Sequence, residues 1–99
     1  KLHICGGYGR DGPPSQSAEC FDPALGTWTA LPSMSLGHAG HGAAALGGKL
    51  YVCGGAGVAR GAVERFDPSR GSWTQMPPMP RESWTSRAAS AGGLLYVVG

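Results

Sequence analysis

The chain contains no asparagine, so it offers no acceptor for N-glycosylation. It is also poor in charge: 14% of residues are Asp, Glu, Lys or Arg, and the net charge is +2. That balance is too weak to draw the chain to nucleic acid or to an anionic membrane surface. No apolar run approaches the roughly 18 residues that a spanning helix needs. The opening "KLHICGG" lacks the apolar h-region of a signal peptide. Cysteine is scarce, and its odd count (Cys5, Cys20 and Cys53) argues against a disulfide framework. Cys5 and Cys53 stand at the same place in "ICGG" and "VCGG", as buried strand residues do when cysteine serves as a small hydrophobe. These features predict reduced core thiols and an intracellular, reducing compartment. Helical periodicity is missing too. "GHGAAALGG" is alanine-rich, but it is too short and too broken by glycine to hold a helix.

What the chain has is glycine and proline, 18 and 8 of 99 residues. That composition alone would suggest disorder. Two facts oppose it: 41% of the residues are hydrophobic, and the glycines recur at fixed places. "ECFDPALGTWTALPSM", Glu19 to Met34, returns as "ERFDPSRGSWTQMPPM", Glu64 to Met79, displaced by 45 residues. Leu50-Tyr51-Val52 returns as Leu95-Tyr96-Val97 at the same displacement. "KLHICGG" at Lys1–Gly7 returns as "KLYVCGG" at Lys49–Gly55, displaced by 48. The three extra residues therefore lie between Gly7 and Phe21, which makes that segment a surface loop. A period of this length signals a propeller or a solenoid.

Within one period, "KLYVC" is a short apolar run closed by Gly-Gly and reads as a strand buried on both faces. "AVERF" alternates apolar with polar and stops at Asp-Pro, a second strand. In "DPSRG" and "DPALG", Asp can bond the backbone two residues on, Pro presets a type I turn, and Gly accepts the positive φ that follows. "SWTQM" then returns antiparallel until Pro77-Pro78 stops it. "HGAAALG" and "SRAASAG" are strands of small residues, suited to crowding around a central axis. Each period thus holds four short strands. A four-stranded sheet with two apolar faces must stack on copies of itself, as a propeller blade does. The expected fold is all-β, with antiparallel four-stranded blades and no helices. Trp28 and Trp73 are expected between blades, buried from water.

Gly-Gly, an aromatic before Asp-Pro, and Trp seven residues later make a composite pattern, present as Gly6-Gly7, Phe21, Trp28 and again as Gly54-Gly55, Phe66, Trp73. Over essentially the whole chain this resembles the kelch repeat. The resemblance implies a partial kelch β-propeller, of a kind with usually about six blades. Residues 1–34 are read as a blade lacking its first strand, 35–79 as a complete blade, and 80–99 as the first two strands of a third. The chain is accordingly expected to be a fragment of a larger protein, with sheet faces and edges that neighbours should cover.

The resemblance implies a protein-binding face built from two kinds of loop. One follows Gly-Gly (Tyr8–Gln16 and Ala56–Ala62). The other joins the Trp strand to the next small-residue strand (Ser33–Gly40 and Pro78–Ser86). These loops hold Tyr8, Arg10, Asp11, His38, Arg60, Arg81, Glu82 and Trp84, the candidate partner-binding residues. Aromatics and arginines in a shallow cup are the residue types of interface hot spots. Trp84 matches Ala39 in the other copy, so it serves either as a contact residue or as packing across the mouth between blades. His38 stands where many kelch repeats carry arginine, a departure that counts against arginine-based anion recognition at this blade. The implied function is non-catalytic recognition of a protein or peptide. Within the family it extends to substrate selection for a cullin-type ubiquitin ligase, often with a BTB domain, or to actin binding.

Other chemistry finds less support. "GYGRDG", Gly7 to Gly12, matches G-x-G-x-x-G, but Pro13-Pro14 and a strand follow where a dinucleotide site needs a helix. His38 and His41 lack further ligands at zinc spacing, so no metal and no cofactor is expected. His41 reads as a packed or capping residue at the mouth of a strand. Asp22 and Asp67 are turn residues, and Glu19 and Glu64 are expected as solvated charges on exposed strand faces. The alternative is an enzyme on the same scaffold, such as a galactose-oxidase-like copper oxidase or a sugar-processing enzyme. A copper site would need Tyr and His near the axis. Tyr51 and Tyr96 occupy equivalent strand positions, which favours structure, and Tyr8 stands alone in a loop.

Overall fold

The computed structural model describes residues 2–7, 12–55, 59–82 and 86–98. These form nine strands: β1 (Leu2–Cys5), β2 (Ala18–Asp22), β3 (Thr27–Ala30), β4 (Gly42–Leu46), β5 (Lys49–Cys53), β6 (Val63–Asp67), β7 (Ser72–Met76), β8 (Arg87–Ala91) and β9 (Leu94–Val98). They pair antiparallel in chain order into sheets of three, four and two strands, β1-β2-β3, β4-β5-β6-β7 and β8-β9. The chain is all-β, and no helix among the described residues is long and apolar enough to cross a membrane.

The Asp-Pro turns close as their sequence dictates. Asp67 Oδ1 accepts from the Ser69 amide at 3.0 Å, and Asp22 Oδ1 from the Ala24 amide at 2.9 Å. The amides of Gly71 and Gly26 then bond back to the carbonyls of Asp67 and Asp22, at 2.8 and 2.7 Å. The turn fixes the register behind it, in which Phe66 pairs with Trp73 and Phe21 with Trp28. Both aromatic couples pack with tilted rings, centroids 5.2 and 4.9 Å apart.

Small residues sit where sheets crowd. β4 of the second sheet lies against β8 of the third. A Cβ on buried Gly42 would come within 2.8 Å of the Ala88 nitrogen and the Arg87 carbonyl carbon. No side chain fits there, which explains the glycine that opens β4.

The first and second sheets meet through the core. Leu50, Val52 and Phe66 of the second sheet are buried with Met34, and Cys5, Leu31 and Trp73 pack against them. Trp73 donates its indole N–H to the Pro32 carbonyl at 2.7 Å, which ties the link after β3 to the outer strand of the next sheet. Trp73 is half-buried and lies at the seam as expected. Trp28 departs from expectation: 49% of it is exposed. By the 45-residue register it faces away from the second sheet, and no described residue covers that side. At the other end of the row, Leu94, Tyr96 and Val98 alternate along β9 and are 55–66% exposed. These are the uncovered sheet faces that the repeat pattern foretells.

The two tryptophans therefore differ in consequence. Trp73→Ala is expected to cost about 3 kcal/mol, the low end for a packed tryptophan, and Trp73→Phe about 1 kcal/mol for the lost hydrogen bond. Trp28→Ala should cost about 1 kcal/mol or less, as for a surface change. Urea unfolding midpoints measure all three, and equal costs for the two alanine variants would contradict the seam assignment.

Candidate functional site

Antiparallel alternation sorts the connections by end. The Asp-Pro and Gly47-Gly48 turns lie at one end of the sheets. The Gly-Gly loops and the links from one sheet to the next lie at the other. At this loop end the segments bond to one another. Gly7 N–H donates to the His38 carbonyl at 2.6 Å, His38 N–H to Ser15, and Met34 N–H to Gln16. The Gln16 amide donates to the carbonyls of Met34 and Ser35 at 3.1 and 3.0 Å. The next repeat echoes this: Met79 N–H donates to Gly61 and Ser86 N–H to Gly40. Glycine is required at Gly6, where φ is +72° and a Cβ would strike the His38 carbonyl oxygen.

Of the eight candidate residues, Tyr8, Arg10, Asp11 and Trp84 lie outside the described residues. Arg60 and Glu82 come together from the loops that follow β5 and β7, with Arg81 next to Glu82 in the chain. Arg60 Nε stands 3.8 Å from Glu82 Oε2, and Arg81 and Glu82 are exposed. An ion pair with one partner this open contributes little to stability, and it is Arg81 and Glu82 that present charge to solvent.

His38 is placed differently from the expectation. It is wholly buried, so it has no surface to present to a partner. Its Nδ1 lies 2.8 Å from the Gly54 carbonyl and its Nε2 lies 2.7 Å from Glu64 Oε2. Glu64, expected as a solvated charge, is also fully buried. Ser35 donates to Glu64 Oε1 through both its amide and its hydroxyl, each at 2.8 Å, and the Leu36 amide donates to Oε2 at 3.2 Å. One carboxylate of β6 thus gathers Ser35, Leu36 and His38 of the link that leaves the first sheet. Charge-assisted bonds of this kind are the strong ones.

The sequence does hold a signal for this site. Glu19 and Glu64 recur two residues before Phe in both copies, inside strands that are otherwise half apolar. A charge kept at one strand register points to a fixed partner. For Glu64 that partner is the preceding link; Glu19 is exposed.

Burial pushes the Glu64 carboxyl up, but the bonds from His38, Ser35 and Leu36 outweigh it and hold the group below its ordinary value of 4.5. His41, at the mouth of β4, is held below 6.5 by burial and then by the charge of His38. Its Nε2 lies 3.8 Å from Cys5 Sγ. Burial pushes the Cys5 thiol up to about 11 and the Cys53 thiol upward as well, so both are inert core groups. Among the described residues no group of three His, Cys, Asp or Glu could hold a metal ion. A cleft of about 440 Å³ opens between the first two sheets at the opposite, turn end, where Asp22, Leu25, Pro68 and Gly71 line it.

Acid should unlock the Glu64 site. A carboxyl whose folded pKa is depressed stabilises the fold above its unfolded value and loses that contribution as pH falls through the folded one. The thermal midpoint should therefore drop steeply below pH 4.5, with a shallower fall from His41 beginning below 6.5. The steep limb should flatten in E64Q. Glu64→Ala, which strands His38, should cost about 3–5 kcal/mol. An E64Q profile that overlays the parent below pH 4.5 would refute the assignment.

Comparison with known proteins matches this architecture. The Kelch motif profile fits residues 1–35 and 37–80. An F-box/kelch-repeat protein of Arabidopsis thaliana is 44% identical over 54 residues, which is 54% of this chain and 14% of that protein. The chain thus spans a small part of the relative it matches.

Proposed function

Given that this chain belongs to the kelch-repeat family, whose repeats generally mark protein-interaction modules, we propose that its loop end recognises a protein or peptide partner without catalysis. The observation that carries the reading is the approach of Arg60 to Glu82 from neighbouring loops, with Arg81 and Glu82 open to solvent beside a buried scaffold. An exposed pair of opposite charges on a fixed frame suits a polar segment better than a small apolar ligand. Tyr8, Arg10, Asp11 and Trp84 belong to the same loops by sequence, and Trp84 is the proposed aromatic anchor. His38 serves the surface from beneath.

The finer version is that the full-length protein presents this face as the substrate adaptor of a cullin-type ubiquitin ligase. A relative whose name joins an F-box to kelch repeats supports it. Actin is the other proposed partner. An intracellular setting is proposed from the free thiols of half-buried Cys5 and buried Cys53.

The test is a paired substitution in the full-length protein, with proteins captured from lysate identified against the parent. Arg81→Ala with Trp84→Ala should abolish capture of the parent's partners while stability changes by no more than about 0.5 kcal/mol per site. Intact capture together with a large loss of stability would show these residues to be structural.

A further inference from the structure

His38 faces two oxygens with no access to water. The Gly54 carbonyl can only accept, so Nδ1 must carry a proton. Glu64 receives three other N–H and O–H donors, from Ser35 and Leu36. Those donors favour its ionised form. An ionised carboxylate also only accepts, so Nε2, 2.7 Å away, must carry a proton too. An imidazole with both nitrogens protonated is a cation, and the pair is a buried ion pair that ties the link after β3 to β6 of the second sheet.

We propose that His38 is a proton-operated latch on the loop of residues 33–41, closed when the ring is an imidazolium and released when it loses a proton. The mechanism is one of satisfied atoms. A neutral ring has one N–H for two acceptors. Either Gly54 or Glu64 then faces a nitrogen lone pair across less than 3 Å, and Glu64 keeps a buried negative charge without a counter-ion. Turning the ring out opens the site so that water can donate to both acceptors. It also pulls Ser35 and Leu36 from the carboxylate, because the same segment carries all three residues.

The other titratable groups around the ring do not substitute for it. His41, centroid 5.9 Å away, is held neutral by burial and by the charge of His38 itself. Its protonation would add a like charge and loosen the site from the acid side, opposite in sign to the latch. Behind it on β1, Cys5 stays a thiol, and Cys53, next to Gly54 on β5, does likewise. Arg60, on the loop beyond Gly54, stands near Glu82.

The experiment is NMR on the protein carrying this chain, with 15N-labelled histidine, from about pH 6 to pH 8.5. At the acid end both His38 ring nitrogens should show protonated shifts. As the ring titrates, hydrogen-exchange protection at the Ser35 and Leu36 amides should fall about tenfold or more, the scale of one charge-assisted hydrogen bond. E64Q removes the anion that demands the second proton, so protection there should not follow pH. Should E64Q fail to fold, H38Q must show low protection at every pH. A single neutral His38 tautomer alongside protected Ser35 and Leu36 amides overturns the proposal. So does a pH dependence shared by the parent and either variant. The outcome is independent of whether a partner binds.

Discussion

Stacking of one apolar sheet face on the next governs everything else in this chain. A four-stranded sheet of the Leu-Tyr-Val type has two greasy sides, and water is driven from each only by another sheet. Between the first and second sheets the requirement is met by Leu50, Val52 and Phe66 on one side and Cys5, Leu31 and Met34 on the other, with Trp73 closing the seam through Pro32. Where no neighbour stands, the same residue types lie open, as Trp28 and Tyr96 do. Exposure here follows from position in the row and not from residue type.

Stacking alone does not set how the links between sheets run, because dispersion and hydrophobic burial have little directional preference. Direction comes from polar atoms. Glu64 collects donors from Ser35, Leu36 and His38, so the segment leaving the first sheet can cross to the second along one path. The exposed charges of Arg81 and Glu82 stand on a frame made in this way, of Gly-Gly corners and internally bonded loops.

Most of the fold was legible in the residues. The 45-residue recurrence, the Asp-Pro-x-x-Gly turns and the small-residue strands each encode local geometry, and local geometry repeated is what a blade is. Phe66 opposite Trp73 follows from the turn between them. The site was less legible, for a physical reason. His38 and Glu64 are 26 residues apart, and their meeting depends on how two sheets stack. Judged singly, a glutamate in an alternating strand looks solvated and a histidine in a glycine-rich loop looks exposed. Both are buried because they satisfy each other. Cys53 was easier, since apolar neighbours in sequence already announce its surroundings.

The sorting of connections by end has an evolutionary corollary. Strand alignment is clamped at the turn end, where Asp22 and Asp67 hold their hairpins with local bonds. The opposite end can therefore gain or lose residues without shifting a single cross-strand partner. The three additional residues between Gly7 and Phe21 are one such change, absorbed while Phe21 still meets Trp28. A scaffold with one fixed margin and one editable margin can change its recognition loops while its strand pairing is kept.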